Sequence, residues 1–356
     1  MSSGTKPVIA SVGTGMMGQL AHIGNYARLR DEGKCEIAGV TDLQRELAEA
    51  VAERYRIPQV YDSADDLLAD PAIDGVTCIQ QWPNNYRLVK QILSAGKSVI
   101  TEKPMVGRLD EAEELISLAE AQGVLYAVGF MKRYDLGVEI GKRLIEEERA
   151  SGELGALLMV DSVCNGGDWL HNIEAPIRVP ATGELPPLQP TYPDACQTRE
   201  QRVAYDWLVN IFSHTVNLCH HLLGQELSPK TAWFKGGKAF ASTLACDETM
   251  VTVRGAMSAS HEWREWTTLT YERGEIRIDT PVPMHRQRSA TVTVTRKCGD
   301  HFTTTVHHAP AGWAFFREAE GFVQALAGEA PLRAPARECL KDVRVMQRII
   351  EIAEIG

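Results

Sequence analysis

No run of apolar residues in this 356-residue chain approaches the roughly 18 consecutive positions that a membrane-spanning helix needs, so no membrane partner is expected. None of the eight cysteines (35, 78, 164, 196, 219, 246, 298 and 339) forms a CxxC pair. That scatter disfavours a disulfide framework or a cysteine-rich metal site and suits reduced thiols in the cytoplasm; no metal site is expected. Basic residues are in deficit, 37 Lys and Arg against 47 Asp and Glu, for a formal charge of −10. A chain without surplus positive charge does not neutralise phosphates, which argues against nucleic acid or an anionic lipid surface as the main partner. The opening MSSGTKPVIASVG has no apolar leader core before its first strand, so a secretory signal is not expected.

What remains is ordinary globular material in sufficient amount. Apolar residues make up 44% of the chain, enough at this length for two cores. Over residues 1–130 short apolar runs alternate with amphipathic stretches: PVIASVG, then a helical pattern over 16–33 with Met17, Leu20, Ile23 and Ala27 on one face, then CEIAGVTD, then RELAEAVAERYRI. DGVTCIQ, KSVITE and VLYAVGF continue the series, with helices near 85–96 and 109–123 between them. Strands alternating with helices predict parallel βαβ units in a doubly wound sheet, a Rossmann-type α/β domain. Residues 131–356 differ. Helices are expected over 135–149, 199–223, 312–327 and 335–354, and Thr-, Val- and Trp-rich strands between 230 and 308 include a hairpin centred on Arg273–Gly274. This predicts an α+β domain with an open, mostly antiparallel sheet. A proline-rich tract, residues 171–194, is too long for a plain connection and reads as a functional loop.

Gly13-Thr14-Gly15-Met16-Met17-Gly18 forms a GxGxxG between the first strand and the first helix. In such a loop the first glycine makes the turn, the second admits a pyrophosphate to the backbone, and the third lets helix and strand pack. Asp42 ends the second strand, 24 residues after Gly18, where an acid binds the ribose hydroxyls. An acid there repels a 2′-phosphate, so NAD is expected over NADP, with Arg45 nearby weakening the preference.

Residues 98–107 read SVITEKPMVG, ending a β-branched strand at Glu102-Lys103-Pro104. A lysine there is either a solvated turn charge or a group at the ligand-binding edge of the sheet, able to orient a substrate hydroxyl and stabilise an alkoxide. VGTGMMG, AGKSVITEKP and GFMKRYD together resemble the Gfo/Idh/MocA family of sugar and cyclitol oxidoreductases, in element order along essentially the whole chain. The resemblance implies an NAD(P)-dependent dehydrogenase acting on a polyol, sugar, amino sugar or glycoside, and a homodimer or homotetramer. It assigns Lys103 to proton transfer or substrate orientation. It places Glu102, Gln80, Trp82 and Asn85 near the cofactor, Gln80-Gln81 standing where the family has Thr-Pro and Asn85 where it has histidine.

The family's Asp-x-x-x-His helix motif is represented by Asn210 and His214, with Asp206 one turn earlier. Positions 206, 210 and 214 share a helix face. His214 is either a general base or a packed core histidine, and Asn210 can hydrogen-bond but cannot take a proton. His220 and His221 point to different faces and read as structural. Lys132, Arg133 and Tyr134 are candidate substrate contacts, as are Trp169 and Tyr192 in or beside the proline-rich tract, which is expected to cap the substrate between the domains. Trp82 either stacks on a ring or anchors its loop. A non-catalytic dinucleotide sensor on the same fold, or a reductase of a non-sugar substrate, remains open on these residues.

Overall fold

The computed structural model describes residues 6–171, 173–180, 186–260 and 262–356. In chain order its strands and helices begin with β1 (Val8–Val12), α1 (Gly24–Asp31), β2 (Glu36–Thr41), α2 (Arg45–Tyr55), α3 (Ala64–Ala69), β3 (Gly75–Cys78), α4 (Asn85–Ser94), β4 (Ser98–Glu102), α5 (Leu109–Gln122) and β5 (Tyr126–Gly129). The five strands are parallel in the order β2-β1-β3-β4-β5, so the carboxyl ends of β1, β3 and β4 lie side by side. β3 and β4 are buried at every position, as strands covered on both faces must be.

The second part continues with α6 (Leu136–Ser151), β6 (Leu157–Gly166), α7 (Arg199–Trp207), α8 (Ser213–Leu223), β7 (Ser228–Lys235), β8 (Ala239–Cys246), β9 (Thr249–Met257), β10 (Arg264–Tyr271), β11 (Gly274–Thr280), β12 (Thr291–Cys298), β13 (His301–His308), α9 (Ala314–Leu326), α10 (Ala336–Glu351) and β14 (Ala353–Ile355). A nine-stranded sheet runs β13-β12-β11-β10-β6-β9-β8-β7-β14. Its pairs are antiparallel apart from β6 with β9 and β14 with β7. Period-2 alternation buries Val251, Val253, Ile276, Ile278, Val292 and Val294 on one face and leaves threonines on the other. The β10–β11 turn is Glu272-Arg273, one residue earlier than the sequence pattern placed it. β8 and β14 carried no recognised strand signal.

The chain divides into two compact units. The first holds residues 1–129 with 173–191 and 315–340; the second holds 130–172, 192–314 and 341–356. The division expected from sequence is a single cut at 130/131; in this grouping 173–191 and 315–340 go with the first unit. In that unit Phe322, Ala319 and Val323 of α9 join a core built from Ile9, Ile23, Leu29 and Val40, against which Ile177 and Val179 also pack. Burying each such side chain contributes about 1.5–3 kcal/mol.

The first helix begins as a π-helical stretch, Gly18–Ile23, before α1, and a second one, Leu208–Phe212, links α7 to α8. Local π turns of this kind recur at functional sites. Both fall in segments that carry candidate functional residues.

Candidate active site

The glycine loop is shaped for close approach of a ligand. Gly13 has φ of +101°, and a Cβ there would lie 2.2 Å from the Ile79 carbonyl and 2.4 Å from Gln80 Nε2. A Cβ on Gly18 would lie 2.7 Å from the Gly13 carbonyl, whereas one on Gly15 would meet nothing within 4 Å. The loop is thus tight at its ends and open at its exposed tip, Gly15-Met16. Met17 behind them is half-buried. Backbone at the tip and the amino end of the following helix suit a pyrophosphate. Thr14 and Asp42 brace the loop: Asp42 Oδ2 accepts from Thr14 N at 2.7 Å and from Thr14 Oγ1 at 3.0 Å, and Asp42 Oδ1 accepts from Gln44 N at 3.0 Å. Arg45 pairs with Glu49 at 2.8 Å and with Asp62. The residues present fit a dinucleotide.

Gln19, fully buried, extends this bracing. Its Nε2 donates to the Thr14 carbonyl at 2.8 Å and to the Ile177 carbonyl at 3.2 Å, and its Oε1 accepts from Ile177 N at 2.8 Å. The proline-rich tract is thereby fastened to the glycine loop. Its other end is fastened by Thr191 Oγ1, which donates to Glu111 Oε2 at 2.9 Å, and by the Thr191 carbonyl, which sits 2.1 Å from where a Gly107 Cβ would be. Residues 172 and 181–185 of the expected cap lie outside the described residues.

Lys103 is half-buried at the end of β4 and joined to Pro104 by a cis peptide bond. Asn85 and Glu102, expected beside the cofactor, are both buried in this corner. Asn85 is 0% exposed, and its Nδ2 donates to the Pro104 carbonyl at 2.9 Å and to the Glu102 carbonyl at 3.4 Å. Glu102 accepts from Lys103 N at 3.2 Å through Oε2 and from His22 Nε2 at 2.8 Å through Oε1. Burial pushes the Glu102 pKa up, but the His22 hydrogen bond and the His22 and Lys103 charges outweigh it and leave the carboxyl below its usual range. Trp82 is half-buried, with its ring 2.7 Å from where a Gly107 Cβ would be, which makes it a packing partner of the corner's exit. His22 was missed from sequence. Its signal was a histidine on the same helix as the otherwise apolar Leu20, Ile23 and Ala27.

In the second unit, Asn210 is exposed and Asp206 and His214 are half-buried. Tyr192 donates to both Asp206 oxygens at 3.2 Å and stacks edge-on against Tyr205. Burial raises the Asp206 pKa, and the tyrosine bond offsets part of that rise. Burial and the neighbouring Asp206 push the Tyr192 phenol up to about 12, so it is a donor and not a base. His214 meets Phe130 edge-on, with centroids 6.0 Å apart. Trp169 is half-buried. Lys132, Arg133 and Tyr134 were candidate substrate contacts. All three are buried: Lys132 pairs with Glu265, and Arg133 Nε donates to Asn217 Oδ1 at 3.0 Å. Asn217 and His220 in turn both bond Asp342 at 2.6 Å, which gives His220 its structural role.

Residues 8–130 match the model of an oxidoreductase family with an NAD-binding Rossmann fold. Over 155 residues the chain is 33% identical to an inositol 2-dehydrogenase/D-chiro-inositol 3-dehydrogenase of Lacticaseibacillus casei, covering 43% of this chain and 42% of that protein. Over 116 residues it is 32% identical to a mouse trans-1,2-dihydrobenzene-1,2-diol dehydrogenase, covering 33% of each. The matches thus span about two-fifths or less of these relatives. A 3-ketoreductase from Actinomadura kijaniata, solved with NADP and TDP-benzene, superposes with a TM-score of 0.75 at 15% identity over 99% of both chains. A UDP-N-acetylglucosamine 3-dehydrogenase from Acidithiobacillus ferrooxidans does so with a TM-score of 0.72 at 17% identity over 97% of both. Those likenesses carry the fold. No described helix is long and apolar enough to cross a membrane.

Proposed function

Through residues 8–130 this chain belongs to the Gfo/Idh/MocA oxidoreductase family, and from that premise we propose that it is a dehydrogenase or ketoreductase of a secondary alcohol on a sugar, amino sugar, cyclitol or glycoside. The observation that carries the reading lies within one sheet: the glycine loop after β1 and Lys103 after β4 open on the same carboxyl edge, separated only by β3. That edge is where α/β sheets hold their ligands.

A bound nicotinamide supplies or accepts the hydride. The chain supplies the rest. Gly13 and Gly18 form the close turn, and Gly15 leaves the phosphate path open. Asp42 keeps lone pairs for ribose hydroxyls beyond its bonds to Thr14 and Gln44, and Arg45 is already engaged by Glu49 and Asp62. Both features favour NAD. Lys103 donates to the reacting hydroxyl and steadies the alkoxide as charge develops. His214 is assigned the hydroxyl proton, with Asn210 and Asp206 hydrogen-bonding substrate hydroxyls along the same helix. The open face of the nine-stranded sheet, where exposed Trp233 and Met250 stand among threonines, is assigned to pairing with further copies of the chain, as dimer or tetramer.

The test is NADH or NADPH formation across a panel of inositols, aldoses, amino sugars, aryl glycosides and nucleotide sugars. Turnover of a polyol or sugar with either cofactor supports the reading. Cofactor binding without turnover across the panel supports a sensor, and turnover of cyclic diols alone supports a non-sugar substrate.

A further inference from the structure

Glu318 has no evident place in the chemistry above. It sits on α9, is 0% exposed, and neither carboxyl oxygen has a hydrogen-bond partner among the described residues. Burial, reinforced by the negative charge of Glu102, holds its pKa well above the ordinary carboxyl value. Glu102, also buried, is shifted the other way: burial raises its pKa, but the His22 hydrogen bond and the His22 and Lys103 charges outweigh that. His22 is 1% exposed, and its ring meets Phe315 edge-on at 5.9 Å, so α9 supplies both the ring contact to His22 and the second buried acid. Among the described residues, the titratable groups acting on Glu102 are His22 from the π-helical segment, Glu318 from α9 and the adjoining Lys103. Of the two buried carboxyls, Glu102 is the one that lies directly against the Lys103 backbone.

We propose that His22 is a positioning residue for Lys103: its hydrogen bond fixes Glu102, and Glu102 fixes the lysine's backbone and supports its ammonium. This rests on the reading of Lys103 as the substrate-facing ammonium. The physical link is electrostatic. Glu102 without its donor is a carboxylate in a dry site, which takes up a proton. Lys103 then loses its anionic neighbour, and its corner loses the charged acceptor for Lys103 N. A histidine that merely filled the core would affect stability and leave the lysine's titration alone.

The experiment is competitive labelling of the whole protein with trace acetic anhydride from about pH 6 to about pH 11, with modification at Lys103 read by mass spectrometry. His22→Met fills similar space without a donor; His22→Gln keeps a donor. In His22→Met the labelling of Lys103 near neutral pH should rise about tenfold or more, and His22→Gln should return it toward wild type. Should methionine at 22 prevent folding, Glu102→Gln removes the charge with the shape kept, and the same rise is expected. Wild-type labelling in a folded His22→Met or Glu102→Gln protein overturns the proposal, as does His22→Gln labelling like His22→Met. Turnover by Lys103→Met is scored separately. Full turnover there beside a shifted labelling curve removes the catalytic reading and leaves the positioning unit; lost turnover beside an unshifted curve removes the positioning unit alone.

Discussion

The Tyr192 phenol lies 3.2 Å from each carboxylate oxygen of Asp206 and donates to both. The pair joins the end of the proline-rich tract to the helix that carries Asn210 and His214. It also answers what an aspartate one turn before Asn210 is doing: it is held in a half-buried, hydrogen-bonded state where burial works against its charge.

Tyr192→Phe deletes that donor. Asp206, already raised by burial, should then rise further, so the acid limb of the pH–rate profile should move to higher pH while the alkaline limb stays. The profile is measured on whichever substrate the panel identifies. An unmoved acid limb would mean that Asp206 ionisation does not govern turnover.

Asp42 predicts cofactor choice. Wild-type protein should use NAD in preference to NADP. Asp42→Ala should weaken NAD about 10–100-fold, the value of hydrogen bonds to a charged group, and shrink the discrimination. The same change also releases Thr14 N, so Asp42→Asn, which keeps an acceptor oxygen for Thr14 N, is the control that separates loop bracing from the charge offered to the ribose. Equal wild-type kcat/KM for both cofactors would remove the role given to this acid.

Much of this was legible in sequence because it is periodic or local. β4 and its EKP corner followed from a β-branched run stopped by Pro104, and the glycine loop followed from strand–loop–helix order. Other features left no local trace. The π turns at Gly18–Ile23 and Leu208–Phe212 are one-turn interruptions, too short for a periodicity window to separate from the α-helices beside them. The return of 315–340 to the first unit depends on Phe322 meeting residues some 300 positions earlier, a contact no short window contains. Lys132 and Arg133 are polar residues that open the second domain, and Asn85 stands where the family has histidine, positions that suggest ligand contacts; no local pattern shows that each is bonded inside the protein. Glu318 was one more charged residue on an amphipathic helix until its burial was known.

Glu318 makes a prediction about stability. Its pKa is raised by folding, so the folded state holds this proton more tightly than the unfolded state does. Its contribution is fully present below the ordinary carboxyl pKa of the unfolded chain and is lost as pH rises toward the folded value. Glu318→Gln has no proton to lose. Its melting temperature should therefore fall less than that of wild type between mildly acidic and alkaline pH, and the variant should be the more stable protein at the alkaline end. Parallel melting curves for the two across that range would show that Glu318 does not titrate with folding.

Lys103 carries the sharpest prediction, because its two readings differ by orders of magnitude in one assay. Lys103→Met keeps the aliphatic stem and deletes the donor. The corner around it should persist, since Asn85 grips the Pro104 carbonyl and Glu102 accepts from the backbone at 103, and neither bond uses the lysine side chain. Stability should therefore change by no more than about 0.5 kcal/mol, as for a partly exposed site outside the core. If the ammonium faces the reacting hydroxyl, kcat should fall by roughly 10²–10⁴ while the dissociation constant for NADH, measured by fluorescence, stays near wild type. His214→Ala should lower kcat by a similar factor without affecting NADH binding if its imidazole takes the hydroxyl proton. The double variant then separates the roles: two residues serving one proton transfer give a combined loss no larger than the greater single loss, whereas independent contributions multiply. A stable, NADH-binding Lys103→Met protein with wild-type kcat would make the lysine a bystander and leave the proton chemistry to His214 alone.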